Sequence, residues 1–157
     1  KTTIARIIAE TTGAINLWAD HERQVMFGRP AHTPEESRQL YSYLNEKAAS
    51  LLDSGQSVIF DTNFNFREDR DLLRDIAAKH NAEPVLIWVT TSLELARERA
   101  TRQSEGKDTR IWGNMTLEDF DRMSNSLQTP TDNEHAISFD GTQVDPQDVK
   151  TRLQLVA

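Results

Sequence analysis

The chain has 157 residues, 37% of them apolar and 27% charged, and it contains no cysteine. This length fits one globular domain over residues 1–157, since domains commonly hold about 100–150 residues. The formal charge of -7 disfavours non-specific attraction to nucleic acid or to an anionic membrane. No apolar run reaches the roughly 20 residues that a membrane span needs, and nothing indicates export, so we expect a cytoplasmic protein.

Apolar spacing predicts the first elements of the chain. Isoleucines at helical spacing, followed by Gly13, predict a helix over residues 3–12. The stretch 14–20 predicts a short buried strand whose last residue is Asp20. Open α/β sheets bind their ligands at the carboxyl ends of strands, which makes Asp20 a candidate site residue. Residues 21–28 then predict a helical turn.

The next helix has a full set of start signals. Thr33 is a predicted N-cap, Pro34 suits the first turn, and Glu36 completes a capping box. Gly55 marks the end of this helix. The segment 33–55 therefore predicts a helix.

Apolar runs and amphipathic segments alternate along the rest of the chain. The predicted strands are 57–63, 84–91 and 136–139, and the predicted helices are 67–80, 93–103, 117–123 and 146–156. The full order, α-β-α-α-β-α-β-α-α-β-α, predicts an α/β fold in three layers. A mostly parallel sheet would carry helices on both faces, and its first strand is missing from this chain.

The first helix opens on Lys1-Thr2-Thr3, in which Lys1-Thr2 matches the last two positions of the phosphate-binding motif G-x-x-x-x-G-K-[ST], without its glycines. In that motif the helix N-terminus and the lysine attract phosphate, and the hydroxyl binds Mg²⁺. Asp61, after the apolar run 58–60, has the form of the acid that supports this metal. Taken singly, each feature also fits a solvated first turn or a helix cap.

Two longer stretches make the pattern specific: "FDTNFNFREDR" at 60–70 and "ADHERQVMFG" at 19–28. With Lys1-Thr2, they resemble the P-loop kinase superfamily, in the group of AAA_33-type ATP-binding proteins, zeta-toxin-type kinases, chloramphenicol phosphotransferases and polynucleotide 5′-kinases. The resemblance runs from Lys1 to about Met123. It implies a P-loop NTPase fold.

The resemblance implies a nucleotide site at the start of the chain. Lys1 would bind the β- and γ-phosphates of ATP, with Thr2 and Thr3 beside them. Thr2 and Asp61 would hold Mg²⁺. ATP and Mg²⁺ are therefore the implied cofactors.

The resemblance also implies an acceptor site. Asp20 would act as general base on the acceptor hydroxyl, and Arg23 would orient the acceptor or its phosphate. Asp61 would support the metal or Arg23, and Asn63 would face the acceptor. The spacing of Asp20 and Arg23 also allows an exposed ion pair within one helix.

A lid over about residues 97–123 is the last implied part. Its arginines would neutralise the transferring phosphoryl group, and Arg99 and Arg102 are the candidates. Lids of this group usually carry two arginines four residues apart, whereas here Gln103 occupies the expected place. Arg110 could substitute and contact the nucleotide.

The function implied is transfer of the γ-phosphoryl group of ATP to a hydroxyl. The acceptor could be a polynucleotide 5′-hydroxyl or a small molecule: "DTNFN" favours the former, and the net charge favours the latter. No membrane partner is expected. A nucleotide-binding regulatory module without turnover is the alternative, and an interaction domain that reuses the fold is a third.

In kinases of this group the first strand lies between the strands predicted here at 57–63 and 84–91. Without it, both inner strands would carry unpaired backbone groups, at about 1–3 kcal/mol for each group that is buried unsatisfied. We therefore expect the functional polypeptide to extend upstream through a strand and a glycine loop. The 157 residues alone should bind ATP poorly.

Overall fold

The computed structural model describes residues 1–101 and 115–154. In chain order, the elements of these residues are α1 (Thr2–Thr12), β1 (Ile15–Trp18), α2 (Ala19–Phe27), α3 (Pro34–Asp53), β2 (Val58–Asp61), α4 (Arg67–Lys79), β3 (Ile87–Thr90), α5 (Leu93–Thr101), α6 (Leu117–Asn125), a 3₁₀ turn (Asp132–Glu134), β4 (Ile137–Asp140) and α7 (Pro146–Gln154). Across these two ranges, no helix has the length and apolar character that a membrane crossing requires.

The described strands pair in parallel and form two sheets of two strands each. β1 pairs with β2, from Ile15 opposite Val58 to Trp18 opposite Asp61. β3 pairs with β4 in the same orientation. This confirms the predicted α/β fold. Within the described residues no ladder joins β2 to β3, the two strands between which the sequence predicts a missing strand.

Helices pack on both faces of the β1–β2 sheet, because side chains along a strand alternate between its two faces. On one face, Leu17 of β1 packs with Leu40 and Leu44 of α3, which are fully buried. On the other face, Ile4 of α1 and Val149 of α7 form a second core with residues from β2, β3 and β4. α1 thus lies over an apolar layer to which both sheets contribute. The predicted three-layer arrangement is confirmed.

Side-chain caps begin the helices where the sequence predicts them. The hydroxyl of Thr33 accepts from the Glu36 N–H (3.2 Å), and that of Thr116 accepts from the Asp119 N–H (3.1 Å). The Glu36 carboxylate in turn accepts from the N–H groups of Ala31 (3.0 Å) and His32 (2.7 Å). These bonds hold the Glu36 pKa below its usual value, the Ala31 bond most strongly. Local capping therefore fixes the start of α3.

The first strand is shorter than predicted. β1 ends at Trp18, and Asp20 lies in the first turn of α2 instead of in the strand. Asp20 and Glu22 both lie in this first turn, where the helix dipole favours negative charge. The prediction that Asp20 is a strand residue was wrong, but Asp20 still follows the carboxyl end of β1 by two residues.

A buried ion pair, which we call the Arg70–Glu134 clamp, joins α4 to the 3₁₀ turn. Arg70 Nε donates to Glu134 Oε2 (2.7 Å), and Arg70 NH2 donates to Glu134 Oε1 (2.9 Å). Both side chains are almost completely buried. Glu134 also accepts from the Thr131 N–H (3.0 Å) and from Arg74 NH2 (3.3 Å). The bonds from Arg70, above all, hold the pKa of Glu134 far below its ordinary value.

We expect this carboxylate to make folding sensitive to acid. Because its pKa is depressed in the folded state, its contribution is fully present above the unfolded-state pKa of about 4.5. That contribution is lost progressively as the pH falls below this value towards the folded-state pKa. The effect is measured as the free energy of unfolding in urea from pH 7 to pH 3. This free energy should fall less steeply with decreasing pH in Glu134→Gln than in the wild type, and the difference in slope corresponds to up to about one bound proton.

The matched control is Glu83→Gln, which changes an exposed glutamate. Its stability should follow the wild-type pH profile. An acid limb of the same slope in Glu134→Gln and in the wild type would contradict the assignment of this pH dependence to Glu134.

Candidate active site

The candidate residues meet at one edge of the β1–β2 sheet. The strands are parallel and their last residues, Trp18 and Asp61, lie opposite each other. Asp20 follows Trp18 by two residues, and Asn63 follows Asp61 by two. Carboxyl ends of parallel strands are where open α/β sheets bind ligands.

Lys1 and Asp61 form an ion pair at this edge. Lys1 is the N-cap of α1, and its Nζ lies 3.7 Å from Asp61 Oδ1. The Asp61 side chain is only 2% exposed. Its second oxygen, Oδ2, is buried without a hydrogen-bond partner in the described residues. A buried carboxylate oxygen in this state is costly unless a cation or a donor reaches it.

The residues present fit a magnesium ion bound together with phosphates. Thr2 is buried in the first turn of α1, beside Lys1, and offers a hydroxyl oxygen. Oxygen donors such as Thr2 and Asp61 are those that Mg²⁺ prefers, and it takes most of its ligands from water and phosphate. Across residues 1–101 and 115–154, no cluster of three His, Asp or Glu side chains could hold a metal alone. Thr3 is exposed next to this turn.

Arg23 is buried in α2, which follows β1 at this edge. It is 8% exposed, and its NH2 donates to Ser37 Oγ of α3 at 3.3 Å. Its NH1 is buried and has no hydrogen-bond partner within the described part of the chain. The ion pair with Asp20 that the spacing allowed is not formed in this part of the chain, and Asp20 is exposed. A buried guanidinium thus retains a donor for an anion.

Tyr41 of α3 closes the same side of the site. Its hydroxyl lies 2.8 Å from Thr62 Oγ1, in the loop that follows β2. Burial raises the Tyr41 pKa above its ordinary value, and the charges of Arg23 and Asp20 also act on it. Asp20, Arg23 and Tyr41 are therefore close enough to interact electrostatically. Asn63, next to Thr62, is exposed.

His32 lies at the end of the loop between α2 and α3. It is half-buried, and its backbone is in the left-handed region (φ 56°). Burial lowers the His32 pKa most, and the nearby Arg23 charge lowers it further. Both effects disfavour a second positive charge beside Arg23.

Arg99 of α5 is exposed and lies beside the end of β4. Its NH1 donates to the Gly141 carbonyl at 3.1 Å. The Thr142 hydroxyl, chiefly, lowers the pKa of Asp140, and the Arg99 charge adds to this effect. Arg102 and Arg110, the other two candidate lid arginines, lie outside the described residues.

Sequence reasoning missed Ser37, Tyr41 and Thr62. Ser37 and Tyr41 are four residues apart in α3 and therefore lie on one face of this helix. That spacing was visible in the sequence, but nothing indicated that this face turns towards Arg23 and the loop after β2. Thr62 lies inside the "DTN" stretch and was passed over in favour of its two neighbours.

A family model described as an AAA domain matches residues 1–130. No curated protein matches the sequence. Three crystal structures are similar to the whole chain. A protein from Chloroflexus aurantiacus has a TM-score of 0.67 at 20% identity, with 98% of this chain and 90% of that chain covered.

The other two structures carry names that state an activity. A gluconokinase from Sinorhizobium meliloti has a TM-score of 0.65 at 18% identity, covering 97% of this chain and 85% of its own. A sugar kinase from Janibacter sp. has a TM-score of 0.63 at 21% identity, covering 98% and 85%. At these identities the likeness establishes the fold. Because the AAA domain model spans most of the chain, this protein belongs to the AAA domain family.

Proposed function

We propose that this protein transfers the γ-phosphoryl group of ATP to a hydroxyl group of an acceptor. The observation that carries the proposal is the pairing of Trp18 with Asp61 at the ends of two parallel strands. Asp61, with Lys1 at the start of α1 beside it, therefore lies at the same edge of the sheet as the start of α2. That helix carries the exposed Asp20 and the buried Arg23. The family and the kinases of similar fold support the same reaction class.

The role proposed for each side chain follows from its chemistry. Lys1 and the N-terminus of α1 attract the phosphates. Asp61 and Thr2 are the side chains that would hold Mg²⁺, which when bound neutralises charge on the phosphates. Arg99 is the described candidate for stabilising the charge that develops on the transferring group.

Asp20 is the proposed general base. Its exposed carboxylate would accept the proton of the acceptor hydroxyl while that oxygen bonds to the γ-phosphorus. The bond from the γ-phosphorus to its bridging oxygen breaks, and ADP leaves with the electron pair. An exposed carboxylate at the edge of the sheet is free to reach an acceptor in this way.

The acceptor we propose carries an anionic group near its reacting hydroxyl. Arg23 is 92% buried and has a donor, NH1, without a partner in the described residues, and this donor suits a carboxylate or a phosphate. An aldonic acid such as gluconate, the acceptor named for one similar structure, has this chemistry. A terminal nucleotide with a free 5′-hydroxyl and a 3′-phosphate also carries an anionic group near its reacting hydroxyl.

We also propose that a strand upstream of Lys1 pairs between β2 and β3. The two sheets share one apolar layer under α1 without a ladder between β2 and β3 in the described residues. Assays should therefore compare the 157-residue chain with a polypeptide extended by such a strand. The 157-residue chain should bind ATP more weakly.

The main test is Asp20→Asn in a transfer assay with Mg²⁺ and γ-labelled ATP. The acceptors are gluconate, glucose, a nucleoside 3′-phosphate and a 5′-hydroxyl oligonucleotide. Loss of a general base should lower transfer by about 10²-fold or more and leave the ATP dissociation constant nearly unchanged.

Asp75→Asn, which changes an exposed aspartate of α4, is the control and should keep wild-type transfer. Equal transfer by Asp20→Asn and the wild type would contradict the assigned role. ATP binding without transfer to any acceptor would instead favour a regulatory module.

Arg23→Gln tests the acceptor class. Removing the guanidinium should lower kcat/KM for the anionic acceptor by about 10- to 100-fold, the value of a hydrogen bond to a charged group. The kcat/KM for a neutral acceptor of the same size should change much less. The measurement is therefore the ratio of kcat/KM for gluconate to that for glucose, or for a nucleotide to that for its nucleoside. Arg38→Gln at an exposed position is the control. An unchanged ratio would show that Arg23 does not read the acceptor charge.

A further inference from the structure

The Arg70–Glu134 clamp also reaches the loop that follows β2. Arg70 NH1 donates to the Phe64 carbonyl and to the Gln128 carbonyl, both at 3.0 Å. The Gln128 N–H donates to the Asn65 carbonyl at 2.7 Å. Two consecutive carbonyls of the loop are therefore held by groups outside it, and one of these groups lies more than 60 residues away in the chain.

These bonds act on the part of the loop that carries Asn63. Residues 62–66 lie between β2 and α4 without regular secondary structure, so no ladder fixes their backbone. The side chain of Asn63 is exposed. With the Phe64 and Asn65 carbonyls bound, the peptide units after Asn63 have fixed orientations.

Stability alone does not require a charged pair at this position. Removing two charges from water is expensive, and apolar residues of similar volume often serve as well or better. An apolar pair, however, has no donor for the Phe64 and Gln128 carbonyls. The guanidinium provides four bonds in one plane, two to Glu134 and two to the carbonyls.

We propose that Arg70 is a positioning residue for the acceptor site: through the Phe64 carbonyl it holds the loop 62–66 so that Asn63 and Thr62 face the acceptor. Glu134 orients the guanidinium for this task. The proposal rests on the proposed function, since it assumes that this loop binds the acceptor. It predicts an effect on acceptor binding that is separate from ATP binding.

The test compares three variants of the protein. Arg70→Lys keeps the charge and loses the fork of donors. The double variant Arg70→Met with Glu134→Leu replaces the pair by apolar side chains, so the fold can be kept while both carbonyl bonds are lost. Arg74→Met is the control, because Arg74 also donates to Glu134 but makes no described bond to the loop.

We expect KM for the acceptor to rise at least tenfold in Arg70→Lys and in the double variant, with KM for ATP within twofold of the wild type. Arg74→Met should leave both values unchanged. A double variant with wild-type thermal stability and an unchanged KM for the acceptor would overturn the proposal. Equal rises in both KM values would overturn it too, since they indicate a general structural role.

Backbone amide exchange gives a readout that does not depend on turnover. The Gln128 amide, whose N–H donates to the Asn65 carbonyl, should exchange at least tenfold faster in the double variant, while the amides of β2 keep their wild-type rates. Unchanged exchange at Gln128 would overturn the proposal even if the enzyme is active. Faster exchange in a protein that phosphorylates none of the tested acceptors would support the effect of the Arg70–Glu134 clamp on the loop but contradict the proposed function.

Discussion

The parallel pairing of β1 with β2 determines where every described candidate residue on the acceptor side lies. Its register sets Trp18 opposite Asp61, so the chain leaves both strands at the same edge. One exit leads into α2 with Asp20 and Arg23, and the other leads into the loop with Thr62 and Asn63. A slip of one residue would turn Asp61 to the opposite face of the sheet, away from Lys1. The site therefore depends on strand register before it depends on any side chain.

Buried polar atoms without hydrogen-bond partners concentrate around this edge in the described structure. They include Asn16 Oδ1 and Trp18 Nε1 on β1, together with Arg23 NH1 and Asp61 Oδ2. Folded proteins satisfy nearly all of their buried polar groups, so such a cluster needs a reason. Arg23 suits an anionic group and Asp61 suits a cation, which is the combination that an acceptor and a magnesium-bound nucleotide bring together. Ligand binding would thus reduce the free-energy penalty of burying Arg23 NH1 and Asp61 Oδ2 without partners.

Local signals in the sequence predicted the elements well. Thr33, Thr116 and Asp145 each cap the helix that was predicted to follow them, because a cap involves only the next two or three residues. The end of β1 was predicted less well, since a strand and a helix start compete over Asp20 within two residues. The order of elements sufficed for the α/β class because short alternating units leave few other arrangements.

Contacts between distant parts of the chain could not be predicted in the same way. Arg70 and Glu134 are 64 residues apart, and Tyr41 and Thr62 are 21 apart. Sequence patterns show which face of a helix is polar, but they do not show which segment covers that face. The roles proposed for Lys1, Asp20 and Asp61 came from a resemblance between motifs, and the structure adds that these residues share one edge.

The most direct test is a crystal structure of the protein with Mg²⁺, a non-hydrolysable ATP analogue and an acceptor. We expect the γ-phosphate beside Lys1, the metal within bonding distance of the Thr2 hydroxyl or of Asp61, and the acceptor hydroxyl between Asp20 and the γ-phosphorus. A nucleotide bound away from the N-terminus of α1, or an acceptor bound out of reach of Asp20, would contradict this expectation.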